Sequence, residues 1–237
     1  MKKLLLATAL ATFGAGIASA DPVRIATEGA YEPYNFINDK GEVDGFEIVL
    51  GAELCKRAEL ECVFVKNDWD SIIPNLQSGN YDAIMAGMSI TPERREKIGF
   101  SENYTQPSPS NYAAMSADTP LDSGVIAAQV GTIQAAHVAA SGAQLLEFAT
   151  PDETVAAVRN GQAAAVMADQ DYLLSVVGDG LEIVGDNVLL GEGIGIGLRQ
   201  SDTELKAKFD AAIQSMKADG SLNKLTDEWF NGNYTPF

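Results

Sequence analysis

The stretch CVFVKNDWDSIIPNLQSGNYDAIMAGMS (Cys62–Ser89) decides the fold. Its first residues, CVFVKN, are β-branched and aromatic and read as a strand. WDSIIPNLQSG then carries apolar residues at helical spacing, with Asp70 or Ser71 near its start and Gly79 just past its end. YDAIMAGMS returns to an apolar strand. Two strands joined by a short helix are parallel neighbours, because only a crossover connection of this length brings the second strand back alongside the first.

Working outward, VRIAT (Val23–Thr27) is an earlier strand, and GFEIVLGAELCKRA places Phe46, Val49, Leu50 and Leu54 on one helical face. The order β-α-β-α-β indicates an α/β fold with a mostly parallel sheet covered by helices. The pattern recurs further on. GVIAAQVG, QLLEFAT and AAAVMAD read as strands, TIQAAHVAAS, PDETVAAVRNG and QDYLLSVVGD as helices. A boundary is expected at the Pro- and Ser-rich TQPSPSNY (Thr105–Tyr112). Either two domains follow one another, or the chain re-enters the first lobe after GEGIGIG; periodicity leaves both open. LGEGIGIGLRQ has Ile196 where a GxGxxG phosphate loop needs its third glycine, so it reads as a glycine-rich strand between lobes. The remainder is two amphipathic helices with a turn at Gly220.

Residues 1–20 read as a secretory leader: a basic MKK, a short apolar run, and ASA before Asp21. The rest is expected to be an exported protein. The formal net charge of −17 becomes more negative once Lys2 and Lys3 are removed, which argues against a nucleic-acid partner and favours cationic small molecules. Cys55 and Cys62 are the only cysteines, and an even count in an exported chain points to a disulfide. Its short loop is worth about 2–2.5 kcal/mol of chain entropy. No metal cluster and no cofactor motif is present, and the single histidine, His137, leaves no catalytic triad.

In doubly wound sheets ligands bind beyond the carboxyl ends of strands. Those ends carry Glu28, Trp69, Gly87, Ser89, Gly131, Thr132 and Asp169, with Arg94 close by. One cation, two acids and aromatic faces suit a zwitterion with a polar or positive far end: Arg94 and helix-end amides for a carboxylate, Asp169 for an ammonium. Arg94 and its neighbour Arg95 fall in the first turn of a helix begun by Thr91 and Pro92, where cations are mildly unfavourable. Arg95 is read as solvated.

The motifs TEGAYEPYNF, GEVDGFEIVLGAELCKR, WDSIIPNLQSGNYDAIMAGMSITPERREKIGFS and MKADGSLNKLTDEWF resemble the periplasmic polar-amino-acid-binding proteins of ABC importers. The likeness is densest over Val23–Tyr104 and thinner over Ser116–Val188. It implies a two-lobed periplasmic-binding-protein fold of type II and a monomer that closes over its ligand and docks on a membrane permease. It assigns residues 21–108 and 195–237 to a discontinuous first lobe and 112–190 to a second, with hinges near 105–112 and 190–196. It further implies that Arg94, Ser89 and Thr132 hold the ligand carboxylate, and that Asp169 and the Gly87 carbonyl hold its ammonium. Tyr31 and Trp69 would sandwich the side chain, Glu28 would read its far end, and Gln134 would face the ligand. Ala86 and Ile133 depart from residues common in such proteins. Glu28 between aromatic rings suits a guanidinium, so the expected ligand is arginine or a related basic amino acid or opine. Glutamine is the alternative ligand. A cyclohexadienyl dehydratase-like enzyme on the same fold is the alternative class, with Glu28 as its acid, and a receptor's sensor domain is a third.

Overall fold

The computed structural model describes residues 21–237, so the expected leader lies outside the described residues. The chain opens with β1 (Val23–Thr27), a small hairpin of β2 (Phe36–Ile37) and β3 (Val43–Asp44), and α1 (Phe46–Arg57). It continues through β4 (Cys62–Lys66), α2 (Trp69–Gln77), β5 (Ala83–Ile84), the single turn α3 (Pro92–Arg95) and β6 (Gly99–Thr105). A second group follows: β7 (Ser110–Ala114), β8 (Val125–Gln129), α4 (Ile133–Ser141), β9 (Gln144–Phe148), α5 (Pro151–Arg159), β10 (Ala165–Asp169), α6 (Gln170–Val176) and β11 (Glu182–Val188). The chain ends in β12 (Ile194–Leu198), α7 (Thr203–Ala218) and α8 (Ser221–Phe230).

Two five-stranded sheets result, ordered β4-β1-β5-β12-β6 and β11-β7-β10-β8-β9. In the first, β1 pairs parallel with β4 and β5; in the second, β8 pairs parallel with β9 and β10. Each sheet also holds an antiparallel strand, β12 between β5 and β6, and β7 between β10 and β11. Each lobe is thus a sheet covered by helices.

Local chemistry explains the elements. α1 buries Phe46, Leu50 and Leu54 completely, and burying each such side chain contributes roughly 1.5–3 kcal/mol. The disulfide Cys55–Cys62 ties the end of α1 to β4. α5 starts with a capping box in which Thr150 and Glu153 satisfy each other's backbone amides.

Several expectations need correction. β5 ends at Ile84, well before Ser89, because the chain turns at Gly87, whose φ of 62° leaves the strand. The segment read as a strand between lobes is β12, a buried strand inside the first sheet. Its glycines permit that packing: a Cβ on Gly195 would stand 2.9 Å from Ile90 Cδ1. Strands β6, β7 and β11 were not anticipated.

Candidate functional site

The carboxyl ends of the parallel strands of both sheets converge on one narrow cleft. Glu28, Tyr31, Trp69, Gly87, Ser89, Arg94, Thr132, Gln134 and Asp169, all nine candidates, line it, together with Ala86, Gln129 and Ile133. Its interior volume is about 20 Å³, room for about one water molecule. An amino acid does not fit in that space.

On the first lobe, Thr91 caps α3 by accepting from the Arg94 amide at 3.2 Å. The helix is a single turn, so the dipole penalty on Arg94 and Arg95 is slight. The Arg94 side chain turns inward. Its Nη1 donates to the Ser89 carbonyl at 2.8 Å, Nη2 reaches the Gly131 carbonyl at 3.5 Å, and the guanidinium lies 5.2 Å from the Trp69 ring centroid. Among the described residues no carboxylate lies within ion-pair distance of it. Burial pushes its pKa down to about 10, with Asp169 partly offsetting this; it stays a cation at neutral pH. Arg95 points elsewhere and pairs with Glu192 at 2.8 Å with both side chains about half exposed, so it is not simply solvated.

Gly87 is fixed from behind. Its amide donates to both oxygens of Glu47, at 2.8 and 3.0 Å. Glu47 is fully buried on α1 and also accepts from Asn35 Nδ2 and the Tyr104 hydroxyl. A Cβ on Gly87 would meet the Tyr31 ring at 3.3 Å, and its positive φ disfavours any other residue.

On the second lobe, Thr132 caps α4 through the Ala135 amide. Asp169 ends β10 and accepts from Gln134 Nε2 and the Tyr31 hydroxyl, each at 2.8 Å. The Tyr31 bond crosses between the lobes. Burial raises the Asp169 carboxyl to about 6, opposed by its hydrogen bond from Tyr31. Glu28 accepts from Gln129 Nε2 at 2.6 Å, again across the cleft. Burial raises it to about 7, with Gln129 pulling the other way.

Tyr31 and Trp69 are both in the cleft but do not face each other as free plates. Tyr31 stacks on Tyr172 with centroids 4.7 Å apart, while Trp69 lies against Arg94. Gln129 and Glu47 are the residues the sequence reading missed. Gln129 is the last residue of β8 and could have been found by the strand-end rule. Glu47 follows an apolar Phe inside α1, where a solvated acid is the ordinary expectation. Among the described residues no cluster of His, Cys, Asp and Glu could hold a metal ion, and no helix is long and apolar enough to cross a membrane.

Two sheet-and-helix lobes with a polar cleft between them define a class of solute-binding receptors. The chain belongs to the bacterial extracellular solute-binding proteins, family 3, which it matches over residues 23–232. Its structure is similar to the crystal structure of a periplasmic His/Glu/Gln/Arg/opine family-binding protein from Silicibacter pomeroyi in complex with lysine: TM-score 0.89 and 61% identity, covering 91% of this chain and 100% of that one. The histidine-binding periplasmic protein of Escherichia coli is 32% identical over 254 residues, 98% of each chain. ABC transporter arginine-binding protein 1 of Escherichia coli is 31% identical, over 97% of this chain and 99% of its own.

Proposed function

We propose that this protein is an exported, periplasmic, monomeric and non-enzymatic receptor. It captures arginine or a related basic amino acid or opine between its lobes and presents it to the permease of an ABC importer. The single observation that carries this reading is a buried cation and a partly buried carboxylate in one cleft, Arg94 and Asp169, that are not paired with each other. A zwitterion supplies both missing charges at once. Arg94, Ser89 and the start of α4 at Thr132 take the α-carboxylate. Asp169, with Gln134 orienting it, and the Gly87 carbonyl take the α-ammonium. Glu28 takes a cationic side-chain end beside Tyr31 and Trp69, displacing its hydrogen bond from Gln129. The relatives' names support the basic class. Residues 21–108 with 195–237 and residues 112–190 move as two bodies, about hinges near 105–112 and 190–196.

A thermal-shift screen tests it, because a ligand bound only by the folded state stabilises it by about 2.7 kcal/mol at 100 times Kd. For a chain of this size that is a rise of roughly 5–10 °C in Tm. Arginine, lysine and ornithine should give it, glutamine less. No response to any basic amino acid or opine would overturn the ligand class, and conversion of prephenate or arogenate to an aromatic product would overturn the receptor reading.

A further inference from the structure

A second cavity, of about 300 Å³, lies beside the first crossing between the lobes and shares no lining residue with the cleft. That volume is at the lower end of small-molecule pockets. Its walls come from four places: Tyr34 and α8 of the first lobe; the end of β6 with the crossing Gln106–Pro109; Gln170, Asp171 and Asn187 of the second lobe; and the segment after α8 with Asn233, Tyr234, Thr235 and Phe237. Among the described residues Asp171 is the only lining residue with a charged side chain, and it is nine-tenths buried. Asp171 Oδ2 accepts from the Tyr34 hydroxyl at 2.8 Å and from Ser108 Oγ at 3.0 Å. Among the described residues no donor reaches its Oδ1 and no basic side chain lies within ion-pair distance. Lys217 sits 3.9 Å from the ring centroid of Phe237, which lines the cavity, but does not itself line it.

A buried carboxylate with one open oxygen, ringed by Tyr34, Tyr104, Phe230 and Tyr234 and by the amides of Asn187 and Asn223, is a receptor for a cation. The aromatic walls suit the apolar body of such a cation. Asn187 Oδ1 and Asn223 Oδ1 already accept from Asn111 Nδ2 and the Phe237 amide, and the second lone pair of each accepts a further proton of a primary ammonium. Nothing in the lining is basic, so the carboxylate of an amino acid would stay unpaired there. We propose that this cavity is a second binding site, selective for small primary amines that lack a carboxylate. It is distinct from the amino-acid cleft, with which it shares no lining residue.

Benzylamine is the probe, titrated into the whole exported protein and followed by backbone-amide NMR shifts. Saturable binding with Kd on the order of 1 mM is expected for a ligand of this size. The shifts should centre on Gln106, Ser108 and α8. Benzyl alcohol, the neutral analogue, should bind at least about tenfold more weakly, and so should benzylamine to Asp171→Asn, which keeps an acceptor for Tyr34 and Ser108. Glu28→Gln should bind benzylamine as the unaltered protein does. Shifts centred on Glu28, Trp69 and Arg94, equal binding of benzyl alcohol, undiminished binding by Asp171→Asn, or no saturation would each overturn the proposal.

Discussion

Each lobe holds three parallel strands, with cleft residues beyond the carboxyl ends of β1, β4 and β5 in the first and of β8 and β10 in the second, and one antiparallel strand is brought in by a crossing from the other lobe: β12 in the first sheet, β7 in the second. The two lobes nevertheless equip those ends differently. The first supplies Glu28, Tyr31, Trp69, Gly87, Ser89 and Arg94, braced by the buried Glu47. The second supplies Gln129, Thr132, Gln134 and Asp169, of which Gln129 and Asp169 already reach across to the first lobe. The first lobe therefore supplies most of the cleft's side chains, and the second adds one acid and the hydrogen bonds that cross to it. Equal topology thus carries unequal roles.

The strongest way to break that comparison is Arg94→Ala. It removes a buried cation and leaves a ligand carboxylate against backbone, a loss of about 3–5 kcal/mol, so arginine affinity by titration calorimetry should fall by roughly a thousandfold. A loss below tenfold would move the anchor off the first lobe. Next come the two acids. Asp169→Asn should weaken every amino acid by about a hundredfold, since all share the α-ammonium. Glu28→Gln should weaken arginine by about tenfold to a hundredfold while leaving glutamine binding nearly unchanged. If both variants discriminate between ligands equally, the division of labour between lobes is wrong.

The pH response sharpens the same point at smaller scale. Glu28 and Asp169 are raised to about 7 and about 6 by burial, and a cationic partner must displace their protons. Arginine affinity should be full above pH 7 and fall as the pH drops through 7 and then 6, by up to about tenfold per unit for each group. Stability of the protein alone should run the opposite way. A carboxyl raised in the folded state binds protons more tightly than in the unfolded chain, so Tm rises as pH falls from 7 toward about 4.5. Asp82 is held low by Arg24 and Arg199 and Asp219 by Ser221 and Arg57, so neither contributes in that window. Glu47 and Asp171 are also raised by burial and add to the stability trend, so Glu28→Gln should remove the upper step of the affinity curve and Asp169→Asn the lower, while each only reduces the slope of the Tm curve.

The same asymmetry explains what could be read from the sequence. The first lobe's β-α-β-α-β order and every cleft residue on it sit beside strong punctuation, such as Gly79, Thr91-Pro92 and the glycine at 87. Strands β6, β7 and β11 carry no such marks: SENY, SNYAA and EIVGDNV mix polar and small residues, and they are strands because neighbouring strands supply their hydrogen bonds. The role of β12 was hidden for the opposite reason, since glycines that signal a loop locally are what let it pack against Ile90 and Ile98. At the site, residue identity was legible and partner choice was not. Nothing local says that Gln129 would bond Glu28, or that Glu47 would turn away from water, because both contacts join residues tens of positions apart.

Arg95→Ala is the smallest expected effect and the most direct control on the largest. Arg95 adjoins Arg94 on the same single turn, yet it faces out and pairs with Glu192 on the second crossing, both groups about half exposed. Exposed pairs of this kind contribute about 0–1 kcal/mol, so arginine affinity should change by less than about threefold. If Glu192 steadies the crossing through this pair, the change will appear in salt dependence, with the variant and the unaltered protein converging at high ionic strength where surface charges are screened. A loss comparable to that of Arg94→Ala would mean that the guanidinium facing the ligand had been assigned to the wrong neighbour, and with it the claim that the first lobe's short helix aims one arginine inward and spends the other on its surface.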